Sequence, residues 1–107
     1  MKIVRTTLVR PRPGFESQVA ALLRDLDDSL AKQPGFLESY EVEEEPGQIG
    51  RVALWESREA ADRAAKLDHT IAVRARLHSL SRPHGEEHLM AVTSEKHARP
   101  LEPAGSA

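Results

Sequence analysis

One stretch constrains this chain more than any other. Residues 34–69 begin Pro34-Gly35-Phe36-Leu37-Glu38-Ser39-Tyr40-Glu41-Val42, turn at Pro46-Gly47-Gln48, and return as Gly50-Arg51-Val52-Ala53-Leu54-Trp55-Glu56. Two short strand-like runs around a Pro-Gly turn predict an antiparallel hairpin, since so short a connection permits no parallel pairing. Ser57 then supplies a good N-cap, and Arg58-Glu59-Ala60-Ala61 opens a helix with no loop between. Along that helix Ala60, Ala61, Ala64 and Ala65 give a side small enough to lie close to a sheet.

The flanking segments complete the pattern. Lys2 to Arg10 reads as a strand, with Val4, Thr6 and Leu8 on one face and Ile3, Arg5, Thr7 and Val9 on the other. Pro11 and Pro13 end it, because proline cannot donate to a ladder. Phe15 to Lys32 reads as a helix whose apolar stripe is Phe15, Val19, Leu22, Leu23, Leu26 and Leu30. Gln33-Pro34-Gly35 stops it. Phe36 to Glu45 is the second strand, with Phe36, Tyr40 and Val42 on one face, and Gly50 to Glu56 is the third. The helix after Ser57 is expected to break near Asp68-His69, where Asp68 could cap a continuation through Ile71, Val73, Leu77 and Leu80. Glu87 to His97 reads as the fourth strand. Residues 98–107 carry Pro100, Pro103, Gly105 and Ser106 and are expected to be a disordered tail after a domain of residues 1–97.

The order β-α-β-β-α-β defines an α+β, ferredoxin-like fold: a four-stranded antiparallel sheet with its helices on one face. At 107 residues the chain forms one domain. Such a chain buries roughly two thirds of its unfolded surface, so covering the open, partly apolar sheet face would help it. Net charge is −2, which gives no broad attraction to nucleic acid or an anionic membrane. No apolar run approaches the ~20 residues that span a bilayer. The first residues read as a strand and not as a signal peptide, and there is no cysteine. A cytoplasmic setting is expected. Without cysteine, disulfides, Cys-ligated metals and thiol nucleophiles are excluded. No glycine-rich phosphate loop or Gly-x-Ser-x-Gly elbow occurs. His84 and His88 have a metal-like spacing, but Pro83 and Gly85 make that segment a loop, so no metal site is expected. Arg74, Arg76 and Arg82 read as a solvated basic face.

Pro34-Gly35-Phe36, then Trp55-Glu56-Ser57 with Glu59-Ala60-Ala61, and His69 in the second helical region resemble the antibiotic-biosynthesis-monooxygenase-like family over roughly residues 2–97. The resemblance implies a dimeric α/β barrel, in which two sheets pack face to face, and so a homodimer through the open sheet face. It also implies a cofactor-independent monooxygenase acting on an aromatic phenol or quinol, with dioxygen as co-substrate. Trp55 is then either a wall of the substrate cavity, stacking a flat ring, or simply the largest core residue. Tyr40 either binds a ligand oxygen through its hydroxyl or holds that hydroxyl in water. His69 is either the base that takes a proton from a bound phenol or an ordinary surface histidine. Thr6 and Thr7 are the polar positions of the first strand, and one of them could face the cavity.

Two other readings stand beside the oxygenase. The chain could be a non-catalytic dimeric barrel that binds a small apolar ligand. It could also be a haem-binding or haem-degrading relative. Such relatives are expected to carry an asparagine on the first strand. This chain has none anywhere, and the Trp55-to-His69 separation is longer than that pattern.

Overall fold

The computed structural model describes residues 1–44 and 47–99. Its elements run β1 (Ile3–Val9), α1 (Glu16–Leu30), β2 (Phe36–Glu44), β3 (Gln48–Trp55), α2 (Arg58–Ala65), α3 (Asp68–Ser79) and β4 (Glu86–Ala91). The strands form one antiparallel sheet in the order β2-β3-β1-β4. This is the expected ferredoxin-like arrangement, with the second crossover built from two helices. The Glu45-Pro46 part of the turn and the expected tail from residue 100 onward lie outside the described residues.

Local chemistry accounts for most boundaries. The Ser57 hydroxyl accepts from the Ala60 N–H at 3.1 Å and starts α2. The break comes at Lys66-Leu67, and the extended Leu67 precedes α3 without a side-chain cap. Asp68 therefore does not cap the continuation; it is the first helical residue, where its charge complements the helix dipole. β4 stops at Ala91, short of the expected His97, because Ala91 faces Ile3, the first residue of β1. One further bond, Val92 N–H to the Lys2 carbonyl at 2.9 Å, ends the pairing.

A bulge corrects one expected face. Phe36 pairs with Trp55 while Glu38 pairs with Leu54, so Leu37 is the extra residue of β2. Phe36 thereby turns to the helix-covered face and leaves Tyr40 and Val42 on the other. There its ring meets Trp55 edge to face, with centroids 5.5 Å apart at 83°.

The helix-covered face follows from the register. From β2 across to β4 its rows are Phe36, Trp55, Ile3, Ala91; then Ser39, Ala53, Arg5, Leu89; then Glu41, Arg51, Thr7, Glu87; then Glu43, Ile49, Val9. One apolar cluster gathers around Trp55 with Ile3, Leu26, Leu30, Ala60, Ala61 and Ala64. A second gathers Val9, Val19, Leu23 and Leu77. The third row, which is polar, lies between them. The opposite face carries Val4, Thr6 and Leu8 of β1, Val52 and Leu54 of β3, Tyr40 and Val42 of β2, and His88 and Met90 of β4. None of the described helices covers it; Tyr40 is 59% exposed and Met90 47%.

Candidate functional site

The polar row is where the sequence departs from what packing alone would choose. An arginine at the centre of a sheet face between two apolar clusters costs several kcal/mol of desolvation unless it is partnered. Arg51 is fully buried, 0% exposed, and so is Thr7 beside it. Asp27 reaches down from α1, and the Arg51 Nε–H donates to its Oδ1 at 3.0 Å. Arg74 reaches down from α3. Its Nη1 donates to Glu87 Oε1 at 2.6 Å and lies 3.4 Å from the Thr7 hydroxyl oxygen. Arg5 stands one row away on the same face.

Three guanidinium groups thus share one sheet face, and the acidities of Arg51 and Arg74 record it. Burial lowers the Arg51 pKa; Arg5 adds to that by repulsion, while the hydrogen bond and charge of Asp27 oppose it. Burial, then repulsion from Arg5, lowers Arg74 to about 10, against the opposing charge of Glu87. Both remain cationic at neutral pH.

The partners do not satisfy every donor. Arg51 Nη1 and Nη2, Arg74 Nε and Trp55 Nε1 are buried with no hydrogen-bond partner. These atoms are donors only. Buried donors of this kind ask for an acceptor, and most strongly for an anionic oxygen. Beside Arg51 the surface opens into a cleft of about 300 Å³ between α1 and the β2–β3 hairpin. Its lining includes Ala20, Leu23, Val42 and Ile49, together with Gly50, the chain neighbour of Arg51, and Glu41, its register partner.

The residues singled out from sequence fall into separate places. Trp55 and Thr7 lie on the helix-covered face, buried. Thr6 and Tyr40 lie on the open face, where the Tyr40 hydroxyl is 3.4 Å from Glu38 Oε2. His69 stands at the exposed seam of α3 and α1, its side chain 55% exposed and its Nε2 3.4 Å from Asp25 Oδ1. The structure therefore pairs Trp55 with Thr7 on one face and brings neither Tyr40 nor His69 to them. Asp25, and not the adjacent Asp68, is the carboxylate beside the imidazole. Arg74 corrects another expectation. It is not part of a solvated face, since only 11% of its side chain is exposed; Arg76 and Arg82 are exposed. Among the described residues no group of three or more His, Asp or Glu is placed to hold a metal ion, and no helix is long and apolar enough to cross a membrane.

Sequence reasoning missed Arg5, Arg51, Asp27, Arg74 and Glu87 as one constellation. The available signal was the alternation itself, which sets Arg51 on the same strand face as Ala53 and Trp55.

Comparison with known proteins agrees with this architecture. The structure superposes on Rv0793 of Mycobacterium tuberculosis with a TM-score of 0.83 at 20% identity, covering 91% of this chain and all of that one. SnoaB, a cofactor-independent oxygenase from Streptomyces nogalater, gives 0.75 at 18% identity, covering 88% of this chain and 95% of SnoaB. A conserved protein of Methanosarcina mazei gives 0.77 at 15% identity, covering 84% and 91%. At these identities the likeness is one of fold. A search of curated proteins finds no match. The sequence itself matches the antibiotic biosynthesis monooxygenase family over residues 2–76, and the chain belongs to that family.

Proposed function

We propose that this protein is a cofactor-independent monooxygenase that oxidises an aromatic phenol or quinol with dioxygen as co-substrate. Family membership supports the reaction class. The observation that carries the reading is the set of unpartnered buried donors on Arg51 and Arg74 in the polar row. A phenol that loses its proton beside them becomes an anion held by N–H groups in a water-poor layer, where such bonds are strong. That anion gives one electron to dioxygen. The resulting substrate radical and superoxide combine through a new C–O bond to a peroxide anion, which takes back the proton held by the base and, as the hydroperoxide, loses water to leave a quinone. One oxygen atom enters the product and the other leaves as water. The protein contributes orientation, desolvation and charge.

In this proposal Thr7 and Trp55 belong to the substrate site. His69, beside Asp25 at the exposed seam of α1 and α3, is the base. Thr6 and Tyr40 belong instead to the open face, which we assign to a second copy of the chain in a dimeric barrel. The proposal takes residues 1–97 as the functional domain and a cytoplasmic setting. A second reading, a binding module without turnover, draws on one observation. The carboxylates that reach the interior arginines, Asp27 and Glu87, are already engaged by them, which leaves no free base in that layer.

Oxygen uptake decides between the two. Naphthoquinols and anthrones should drive saturable oxygen consumption without added cofactor, with one atom from labelled dioxygen in the product. His69→Ala, still folded, should lose rate while keeping binding. Saturable binding with no uptake by any phenol would overturn the oxygenase.

A further inference from the structure

We infer that the site selects an aromatic carboxylate, and that Arg51 is the residue that binds the carboxylate group. This deepens the monooxygenase reading by naming its substrate class; it rests on that reading only for the fate of the ring.

The argument starts from how Arg51 is already used. A guanidinium offers hydrogen bonds along two edges, one of which is the Nη1/Nη2 end of the fork. Asp27 takes the Nε–H from the side. Both nitrogens of the terminal edge remain buried and unpartnered. That edge presents parallel N–H groups, which match the two oxygens of a carboxylate. A phenolate has one oxygen and would leave half the edge unsatisfied, at a cost comparable to a lost hydrogen bond.

The surroundings favour a carboxylate on an apolar body. The neighbouring cleft, about 300 Å³, is lined by Ala20, Leu23 and Ile49, by the hairpin at Val42 and Gly50, and by the charged Arg24, Glu41 and Glu43. That volume is at the lower end of small-molecule sites and suits one or two fused rings. Arg5 and Arg74 face Arg51 from β1 and α3 and repel its charge. Against them stand Asp27, committed to Nε, and Glu41, exposed on β2. An added anion relieves the repulsion among the arginines, and it is resisted by Glu41 and Glu43 of the cleft and by the Asp27 carboxylate. With the carboxylate on Arg51, the Arg74 Nε–H remains unpartnered in the same polar row.

Calorimetric titration of four naphthalene compounds tests the assignment. They are 3-hydroxy-2-naphthoate, its methyl ester, 2-naphthol and 2-naphthyl phosphate. The acid should bind at least about tenfold more tightly than the other three, the loss expected when a charged hydrogen-bond pair is removed. Arg51→Lys keeps the charge and abolishes the fork, so it should erase that preference; Glu41→Gln should strengthen acid binding. If Arg51→Lys does not fold, side-chain amide spectra of the unaltered protein replace it. The Arg51 resonances should then move with the acid and not with the ester. Equal binding of acid and ester, tighter binding of the phosphate, no binding at all, a preference that survives Arg51→Lys, or unmoved Arg51 resonances would each overturn the inference. Oxygen uptake separates the two claims. Acid-selective binding without uptake sinks the oxygenase and leaves the carboxylate site. Equal uptake with acid and ester does the reverse.

Discussion

The Nε–H of Arg51 on β3 donates to Asp27 Oδ1 on α1 at 3.0 Å, and this single bond carries the only carboxylate that reaches the buried guanidinium directly among the described residues. Removing one partner of such a pair leaves an uncompensated charge in the interior. Asp27→Ala should therefore destabilise the fold by about 3 kcal/mol, measured by urea unfolding, the lower end of the range for broken buried pairs because Asp27 is partly exposed. The double variant Asp27→Leu with Arg51→Met should recover most of that loss, since an apolar replacement of both partners removes the desolvation cost. A single Asp27→Ala as stable as the parent would mean that Arg51 finds another acceptor.

Gly35 ties the hairpin to α2. Its φ is +87°, its carbonyl accepts from the Glu56 N–H at 2.8 Å, and a Cβ there would collide with Ala60 Cβ. Two penalties act together in Gly35→Ala: a left-handed backbone that side chains disfavour, and a contact that forces α2 away from the sheet. We expect a loss of about 2–4 kcal/mol from these terms. Ala60→Gly in the same chain removes the contact but costs about 1 kcal/mol of helix propensity, so it should restore only part of the stability. Full restoration would show that the backbone angle costs nothing.

Sequence alternation made the sheet legible because each strand in a two-faced sheet must repeat every second residue. The small Ala60-Ala61-Ala64 side told that α2 lies close to the sheet, and Ser57 marked where it begins. What escaped was whatever depended on contacts between distant elements. The bulge at Leu37 turns Phe36 over without any local turn residue to announce it. Arg74 reads as one more charge on a basic helix until α3 is laid across Thr7 and Glu87. Asp27 sits on a helix carrying further acidic residues, Asp25 and Asp28, and only its position above Arg51 distinguishes it. Trp55 was legible as a large buried ring; its unpaired indole N–H was not, since satisfaction is a property of neighbours.

Glu95 offers a pH test at the other end of the sheet. The Lys2 ammonium donates to its carboxylate at 2.6 Å, and this hydrogen bond holds the Glu95 pKa below the ordinary glutamate value. A depressed carboxylate pKa means that folding favours the ionised form. The contribution is present above the unfolded-state pKa and is lost as pH falls through the lower folded value. Carboxyl resonances followed through an acid titration should show the Glu95 midpoint below the ordinary glutamate value. Lys2→Ala should bring it back up. An unchanged midpoint in Lys2→Ala would assign the shift to something other than the ammonium.

The open face makes the strongest demand on assembly. Val4, Leu8, Val52 and Leu54 stand on its two central strands, with Tyr40 and Met90 exposed to either side. A contiguous apolar surface of this kind marks an interaction site, and a self-complementary sheet face suits a twofold dimer. Sedimentation at micromolar concentration should show a dimer for the unaltered chain. Leu54→Lys places a like charge from each copy at the centre of that interface, where an unpaired buried charge is costly. The dissociation constant should rise by at least about a hundredfold, the equivalent of roughly 3 kcal/mol, with the monomer retaining its native circular dichroism because position 54 faces away from the helices. His69→Ala, at the seam of the helices, should leave the dimer intact and serves as the control. A Leu54→Lys protein that still sediments as a dimer would place the interface elsewhere. It would then leave Tyr40 and Thr6 on a face open to solvent.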